Sequence, residues 1–215
     1  MKKLVSVCVC VLFLAAFLPK PASAEVTFDL GIRAGLSMAS LAEVYEGFDD
    51  PSSSLTKPLF GAFLAINFNQ TFTLQPEVYY LTKGGIWDEE FEGSDFLWED
   101  TLNYLHIPLL AKVHFVKEGK VLPIVFAGPA VNVMISSNKK LTVDGTVVED
   151  RSFDELKSTD FSLVFGGGVE IILDKIMLIL DIRYDMGLSN ILKAEYADDW
   201  SIKNKALMFV AGIGF

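Results

Sequence analysis

Beyond residue 24, no stretch of this chain holds the roughly twenty consecutive apolar residues that a spanning helix needs, although its mean hydropathy is positive. Those two facts sit badly together in a soluble protein. They agree in a β-barrel, whose outward apolar residues occupy every second position of a strand. Cysteine is nearly absent too: the chain has two, Cys8 and Cys10, and both fall in the N-terminal apolar stretch. A small exported soluble domain often relies on disulfides, whereas a closed ladder of hydrogen bonds already ties a barrel together. There are two histidines, His106 and His114. Eight positions apart on one strand, they lie about 27 Å from each other, which excludes a shared metal ion. Positive charge is short, with 18 Lys and Arg against 28 Asp and Glu. An acidic surface repels phosphates, so no nucleic acid is expected as a partner.

What is present begins with an export signal. Lys2 and Lys3 precede an apolar core from Leu4 to Leu18, and Ala22-Ser23-Ala24 supplies small residues for cleavage. Residues 1–24 thus read as a signal peptide and 25–215 as one domain of 191 residues. A lipoprotein leader is excluded, since Val7 stands before Cys8 and Cys10 lies deep in the apolar core. Without the three leader lysines the net charge is −13 rather than −10. All of that charge falls in four segments: −3 in 41–57, −7 in 84–100, −2 in 137–160 and −1 in 190–203.

Strands are expected near 26–40, 58–68, 71–83, 102–116, 121–136, 161–173, 175–189 and 204–215. Long connectors (41–57, 84–101, 137–160, 190–203) alternate with short ones at Asn69-Gln70, Lys117 to Lys120 and Asp174. That alternation is the pattern of an all-β, eight-stranded antiparallel up-and-down transmembrane barrel, with tight periplasmic turns and long external loops. Period two is plain in four strands. In the seventh, Ile176, Leu178, Leu180, Ile182, Tyr184 and Met186 oppose Asp181, Arg183 and Asp185. The strands with Pro123 and Pro129, and with Gly166-Gly167-Gly168, read less cleanly, as bulges or as room for bulky inward side chains.

Alternation does not say which face meets lipid. Eight strands enclose too little volume for so many large apolar residues, so these are placed outward and the ionic residues inward. Aromatics near strand ends (Tyr80, Trp87, Trp98, Phe115, Phe161, Tyr184) fit interfacial girdles. The inward polar set is Asp29, Arg33, Glu77, Tyr79, His106, Lys112, Glu170, Asp181, Arg183 and Asp185. It reads as a charge network filling the lumen, in which loss of Arg183 would strand Asp181, Asp185 or Glu77. His106 is assigned to the lumen and no adjacent strand offers an obvious serine–acid pair beside it, so catalysis is not expected there. Between 84 and 100, seven acids interleave with Trp87, Phe91, Phe96 and Trp98. The acids alone read as a solvated face. The aromatics make the segment a candidate partner-binding loop.

The last strand, Lys205 to Phe215, alternates strictly and ends on an aromatic. Such an ending resembles the signal that the barrel-assembly machinery recognises during insertion. Gly31-Ile-Arg-Ala-Gly-Leu-Ser37, Leu74-Gln-Pro-Glu-Val-Tyr-Tyr80, Leu102-Asn-Tyr-Leu-His-Ile-Pro-Leu109, Phe126-Ala-Gly-Pro129, Gly166-Gly-Gly-Val-Glu170 and Asp181-Ile-Arg-Tyr-Asp-Met-Gly-Leu188 follow in order along the chain. Together they resemble the outer-membrane β-barrel domain family, the small barrels called PorT-like or "porin family". One departure is Leu81-Thr82, where a serine commonly follows the tyrosine. The resemblance implies a Gram-negative outer membrane and lipid contact, and it implies no specific activity.

The expected role is thus non-enzymatic, without a cofactor: a plugged barrel that serves the cell envelope structurally or contacts an envelope or extracellular protein through its loops. The alternatives are an outer-membrane lipid-modifying hydrolase and a soluble periplasmic ligand-binding barrel.

Overall fold

The computed structural model describes residues 26–45, 48–116, 119–153, 155–197 and 200–215; the expected signal peptide and its cleavage pattern lie outside the described residues. Ten strands form among the described residues: β1 (Thr27–Tyr45), β2 (Phe48–Pro51), β3 (Ser53–Asn67), β4 (Phe72–Phe91), β5 (Ser94–His114), β6 (Val121–Val143), β7 (Thr146–Ser152), β8 (Thr159–Leu173), β9 (Ile176–Gly187) and β10 (Trp200–Gly214). Eight of them close a ring in the order β1, β3, β4, β5, β6, β8, β9, β10, each antiparallel to the next. The ring closes where β10 pairs with β1, from Gly31↔Gly214 to Tyr45↔Trp200. The short strands β2 and β7 lie on the outer ends of β1 and β6. No described helix is long and apolar enough to cross a membrane.

The ring's short turns are locally specified. In the turn after β3, Asn69 Oδ1 accepts from the backbone N–H groups of Thr71 (2.8 Å) and Phe72 (2.9 Å). An asparagine side chain mimics a backbone turn in this way. At the other end of the chain, Phe215 N–H donates to Leu30 O (2.8 Å), and Leu30 N–H returns a bond to Phe215 O (3.1 Å). The terminal aromatic is therefore fastened to β1 while its ring stays exposed.

Outward and inward faces divide as chemistry requires. Ile32 (65% exposed), Leu180 (52%) and Ile182 (53%) point out; Glu77 (3%), Arg183 (1%) and Asp185 (0%) point in. The glycines of β8 make room for the inward set. A Cβ on Gly168 would lie 2.6 Å from Asp181 Cβ, and one on Gly166 would lie 2.9 Å from Phe126 Cε2. Both clashes would push on the side chains that fill the centre of the ring.

The long connectors expected at 84–101 and 137–160 are, in large part, strand. β4 and β5 run on to a two-residue turn at Glu92 (φ 53°) and Gly93 (φ 82°), and β6 and β7 meet at Asp144 (φ 47°) and Gly145 (φ 76°). Positive φ at both central residues is the turn geometry that matches strand twist. Apolar alternation fades there because neither face meets hydrocarbon, while the hydrogen-bond ladder continues. The segments 41–57 and 190–203 also hold strand, in β1 to β3 and β10, with one 3-10 turn at Ala194–Tyr196.

Candidate functional site

The inward charges assemble in tiers. In the middle, Arg183 on β9 donates to Asp181 (Nε–Oδ1 and NH2–Oδ2, both 2.9 Å), to Glu77 Oε2 (2.6 Å) and to the Tyr79 hydroxyl (3.3 Å). Its guanidinium lies over the Tyr79 and Phe126 rings, 5.5 and 5.0 Å from their centroids. Arg33 on β1 pairs with Asp181 and approaches Glu77 at 3.6 Å. Two cations thus share two carboxylates, all almost wholly buried. Such a group is stable only when every member is paired.

Toward the short turns, Glu170 on β8 takes Lys112 Nζ on one oxygen and His114 Nε2 (2.7 Å) on the other, and Lys112 also donates to Gln75 Oε1 (2.7 Å). Gln75 in turn donates to Glu77, which links this tier to the middle one. Asp29 lies apart from the network. It accepts from Asn67 Nδ2 (2.6 Å) at the mouth, beside a recess of about 750 Å³ lined in part by His114 and Glu170.

Toward the long hairpins, Lys83 Nζ pairs with Asp185 (2.7 Å) and donates to Asn132 Oδ1 (3.2 Å). His106 Nδ1 meets the same amide oxygen at 2.6 Å and lies 3.8 Å from Asp185. Asn132 Nδ2 donates to Asp160 and to Ser162 Oγ (3.1 Å), and Asn204 Nδ2 donates to Asp160 (2.8 Å) and Tyr104 (3.2 Å). Asp185 therefore has Lys83, not Arg183, as its cation, which corrects the expected consequence of losing Arg183. Ser162 and Asp185 share this tier with His106, from β8 and β9, neither of which adjoins β5. All three are sealed inside the ring, at 1% exposure or less.

Lys83, Asn132, Asp160 and Asn204 were missed because the sequence reading assigned Lys83 to a strand's final residue and the other three no role at all. Inward parity on β4, β6, β8 and β10 was the signal that could have found them.

Above the polar tiers the ring is filled by apolar side chains. Leu41, Leu59, Leu81, Leu102, Ile202 and Met208 from the wall pack with Phe153, Leu156, Ile191 and Leu192 from the chain between strands. Leu156 and Leu192 bridge backbone to backbone across the mouth. Trp87 packs against this cluster, so it is no part of an interfacial girdle.

The hairpin β4–β5 continues past the ring. β3 pairs with β4 only as far as Ser53↔Ile86, whereas β4–β5 pairing runs to Phe91↔Ser94 and β6–β7 pairing to Val143↔Thr146. Directly opposed residues share a face. Trp87↔Trp98, Trp98↔Leu141, Phe96↔Val143 and Phe91↔Ser94 put all four candidate aromatics on one face. Asp88, Glu90, Asp95 and Glu99 take the other. Phe96 and Trp98 stack at 5.7 Å, and Phe91 is exposed. At the base of the aromatic face, Asp100 is 1% exposed and Oδ1 has no hydrogen-bond partner. Burial raises its pKa to about 6, with Lys139 and Arg151 pulling the other way. Among the described residues no cluster of His, Cys, Asp and Glu is arranged to hold a metal ion.

Residues 22–193 match the family described as outer membrane protein beta-barrel domain. No curated protein matches the chain by sequence. Among solved structures it is similar to the Escherichia coli outer membrane protease OmpT (9% identity, TM-score 0.50, covering 90% of this chain and 99% of that one). It is also similar to Neisserial surface protein A (15%, 0.49, 89% and 98%) and to Ail, the attachment invasion locus protein of Yersinia pestis (15%, 0.44, 87% and 98%). At these identities the likeness is one of fold alone.

Proposed function

This chain belongs to the outer-membrane protein β-barrel domain family, and from that we propose that it is a non-enzymatic barrel with a closed lumen that presents a two-faced β-sheet to a protein partner outside the cell. The observation that carries the reading is the sheet itself. Beyond Ile86, strands β4 to β7 stand clear of the ring, with the four aromatics gathered on one face and Asp88, Glu90, Asp95 and Glu99 on the other. Every residue of β7 is exposed, and among the described strands β7 pairs only with β6. A free strand edge that carries exposed Val147 and Val148 is a template for a partner's strand or an apolar surface.

Two further features support a closed lumen rather than a solute path. The charge network leaves its cations and acids paired with one another, and the apolar cluster with its Leu156–Leu192 bridge lies across the outer mouth. Export through residues 1–24 and recognition of Phe215 by the barrel-assembly machinery complete the proposed route to a Gram-negative outer membrane. A hydrolase is disfavoured because His106, Ser162 and Asp185 are sealed from any acyl chain.

The test shortens the hairpin by joining Trp87 to Trp98 through Asn-Gly, a turn sequence suited to this geometry. After mild crosslinking of intact cells, an envelope or extracellular protein should co-purify with the parent and be lost with the shortened variant, while both keep heat-modifiable gel mobility. Equal recovery from both, or none from the parent, contradicts the proposal.

A further inference from the structure

We propose that the open edge of β4 beyond Ile86 receives an extended protein segment in which lysine or arginine alternates with apolar residues. This rests on the function proposed above and names the chemistry of the partner's segment. Besides β7, the outer sheet has a second free edge. At Ser52 the chain leaves β4 for β1: Ser52 N–H donates to Leu41 O (3.1 Å), and its hydroxyl oxygen accepts from Leu41 N–H (2.8 Å). Among the described residues no strand then pairs with Trp87 to Phe91 on the side away from β5.

The turn decides which groups this edge offers. Glu92 and Gly93 are its two residues, so Phe91 and Ser94 form the hydrogen-bonded pair that closes the hairpin. Pairs alternate from there. Glu89 and Trp87 bond to β5, whereas Asp88 and Glu90 turn their N–H and C=O groups to the open edge. The opposite strand agrees. Asp95, across from Glu90, points its carbonyl away from β4 and accepts from Asp144 N–H (3.0 Å).

The same two residues carry the charge. Asp88 and Glu90 are exposed, and neither carboxylate has a hydrogen bond or ion pair among the described residues. Both lie on one face of the sheet, with Asp95 and Glu99 beside them on β5. A strand added here sets its own hydrogen-bonded residues directly opposite Asp88 and Glu90, on that face. Basic side chains there meet the two carboxylates. The residues between them fall on the other face, beside Trp87 and Phe91, with exposed Glu89 between those two. Apolar side chains there extend the aromatic surface.

β7 lacks this pattern: Glu149 is already held by Arg151 (2.5 Å), and Val148 stands unpaired where the register with β6 shifts. A second copy of the chain fits the β4 edge poorly. Antiparallel pairing of two such edges opposes Asp88 to Glu90, and like charges directly opposite destabilise a sheet.

The experiment titrates the detergent-solubilised parent into a fluorescent peptide of alternating lysine and valine and reads anisotropy. The peptide should bind and slow amide exchange at Asp88 and Glu90, and a peptide with glutamate for lysine should not bind. N-methylation of the lysine amides, which face β4, should abolish binding, and N-methylation of the valine amides should leave it. Asp88→Asn with Glu90→Gln should weaken binding about ten-fold, because two exposed cross-strand charge pairs are lost. Both substitutions are exposed, and heat-modifiable mobility reports folding. No binding by the parent, equal binding of the glutamate peptide, the reverse response to N-methylation, unchanged binding by the variant, or a dimer in place of the complex would each overturn the proposal. Should the peptide fail while the crosslinked protein is still lost with the shortened hairpin, this edge chemistry falls and the partner-binding function stands.

Discussion

Replacing Arg183 with methionine tests the charge network at its most connected point. The substitution keeps an unbranched side chain against Tyr79 and Phe126 but removes four hydrogen bonds, two to Asp181, one to Glu77 and one to Tyr79. Arg33 remains beside both carboxylates. One cation then faces two acids, and a charge stripped of its buried partner costs about 3–5 kcal/mol. Asp185 keeps Lys83, so the upper tier is unaffected. Urea unfolding in detergent or lipid vesicles, followed by tryptophan emission, should show that loss. Combining Arg183→Met with Asp181→Asn leaves Arg33 paired with Glu77 and should recover most of it, so the two substitutions are strongly non-additive. A single variant within about 1 kcal/mol of the parent, as for an exposed pair, or a double variant no better than the single, would refute the reasoning.

Two further outcomes follow from the wall and from the outer sheet. Leu180→Arg places a cation on the exposed midsection of β9 and should cost about 2–4 kcal/mol in the same unfolding assay. Asp100 has its pKa raised by burial from 3.8 to about 6, so the folded chain holds that proton more tightly than the unfolded one. The parent's outer sheet therefore loses stability as pH rises from about 4 to 6. Asp100→Asn should make the sheet more stable by on the order of 3 kcal/mol above pH 6, and the gain should vanish below pH 4. Amide exchange over residues 94–101 and 137–142 reads it.

The transmembrane ring was legible because hydrocarbon on one side and a narrow interior on the other force period two. All eight ring strands were anticipated, and nine of the ten expected inward residues (Arg33 through Asp185, Asp29 excepted) join one another inside. Legibility failed where that constraint stops. Above the bilayer neither strand face meets hydrocarbon, so the outer parts of β4 to β7 carry no strict apolar alternation to mark them as strand. Asp144-Gly145 was a hairpin signal within a segment read as loop. The four aromatics were recognised, but only the Trp87↔Trp98 register shows that they share a face. Asn132 stands directly across from His106 on β6, but Asp185 reaches it from β9, and pairing across the lumen leaves no trace in local spacing.

The account depends on apolar residues facing hydrocarbon and ionic residues facing one another. Both cysteines lie within residues 1–24, the proposed signal peptide, so with that segment cleaved Leu180→Cys and the adjacent inward Ile179→Cys each carry a single fluorophore. Quenching by brominated acyl chains against quenching by aqueous iodide decides the orientation. The account predicts that the label at position 180 is quenched by the acyl chains and not by iodide, and that position 179 is shielded from labelling. A label at position 180 quenched by iodide, with position 179 open to acyl chains, would contradict it.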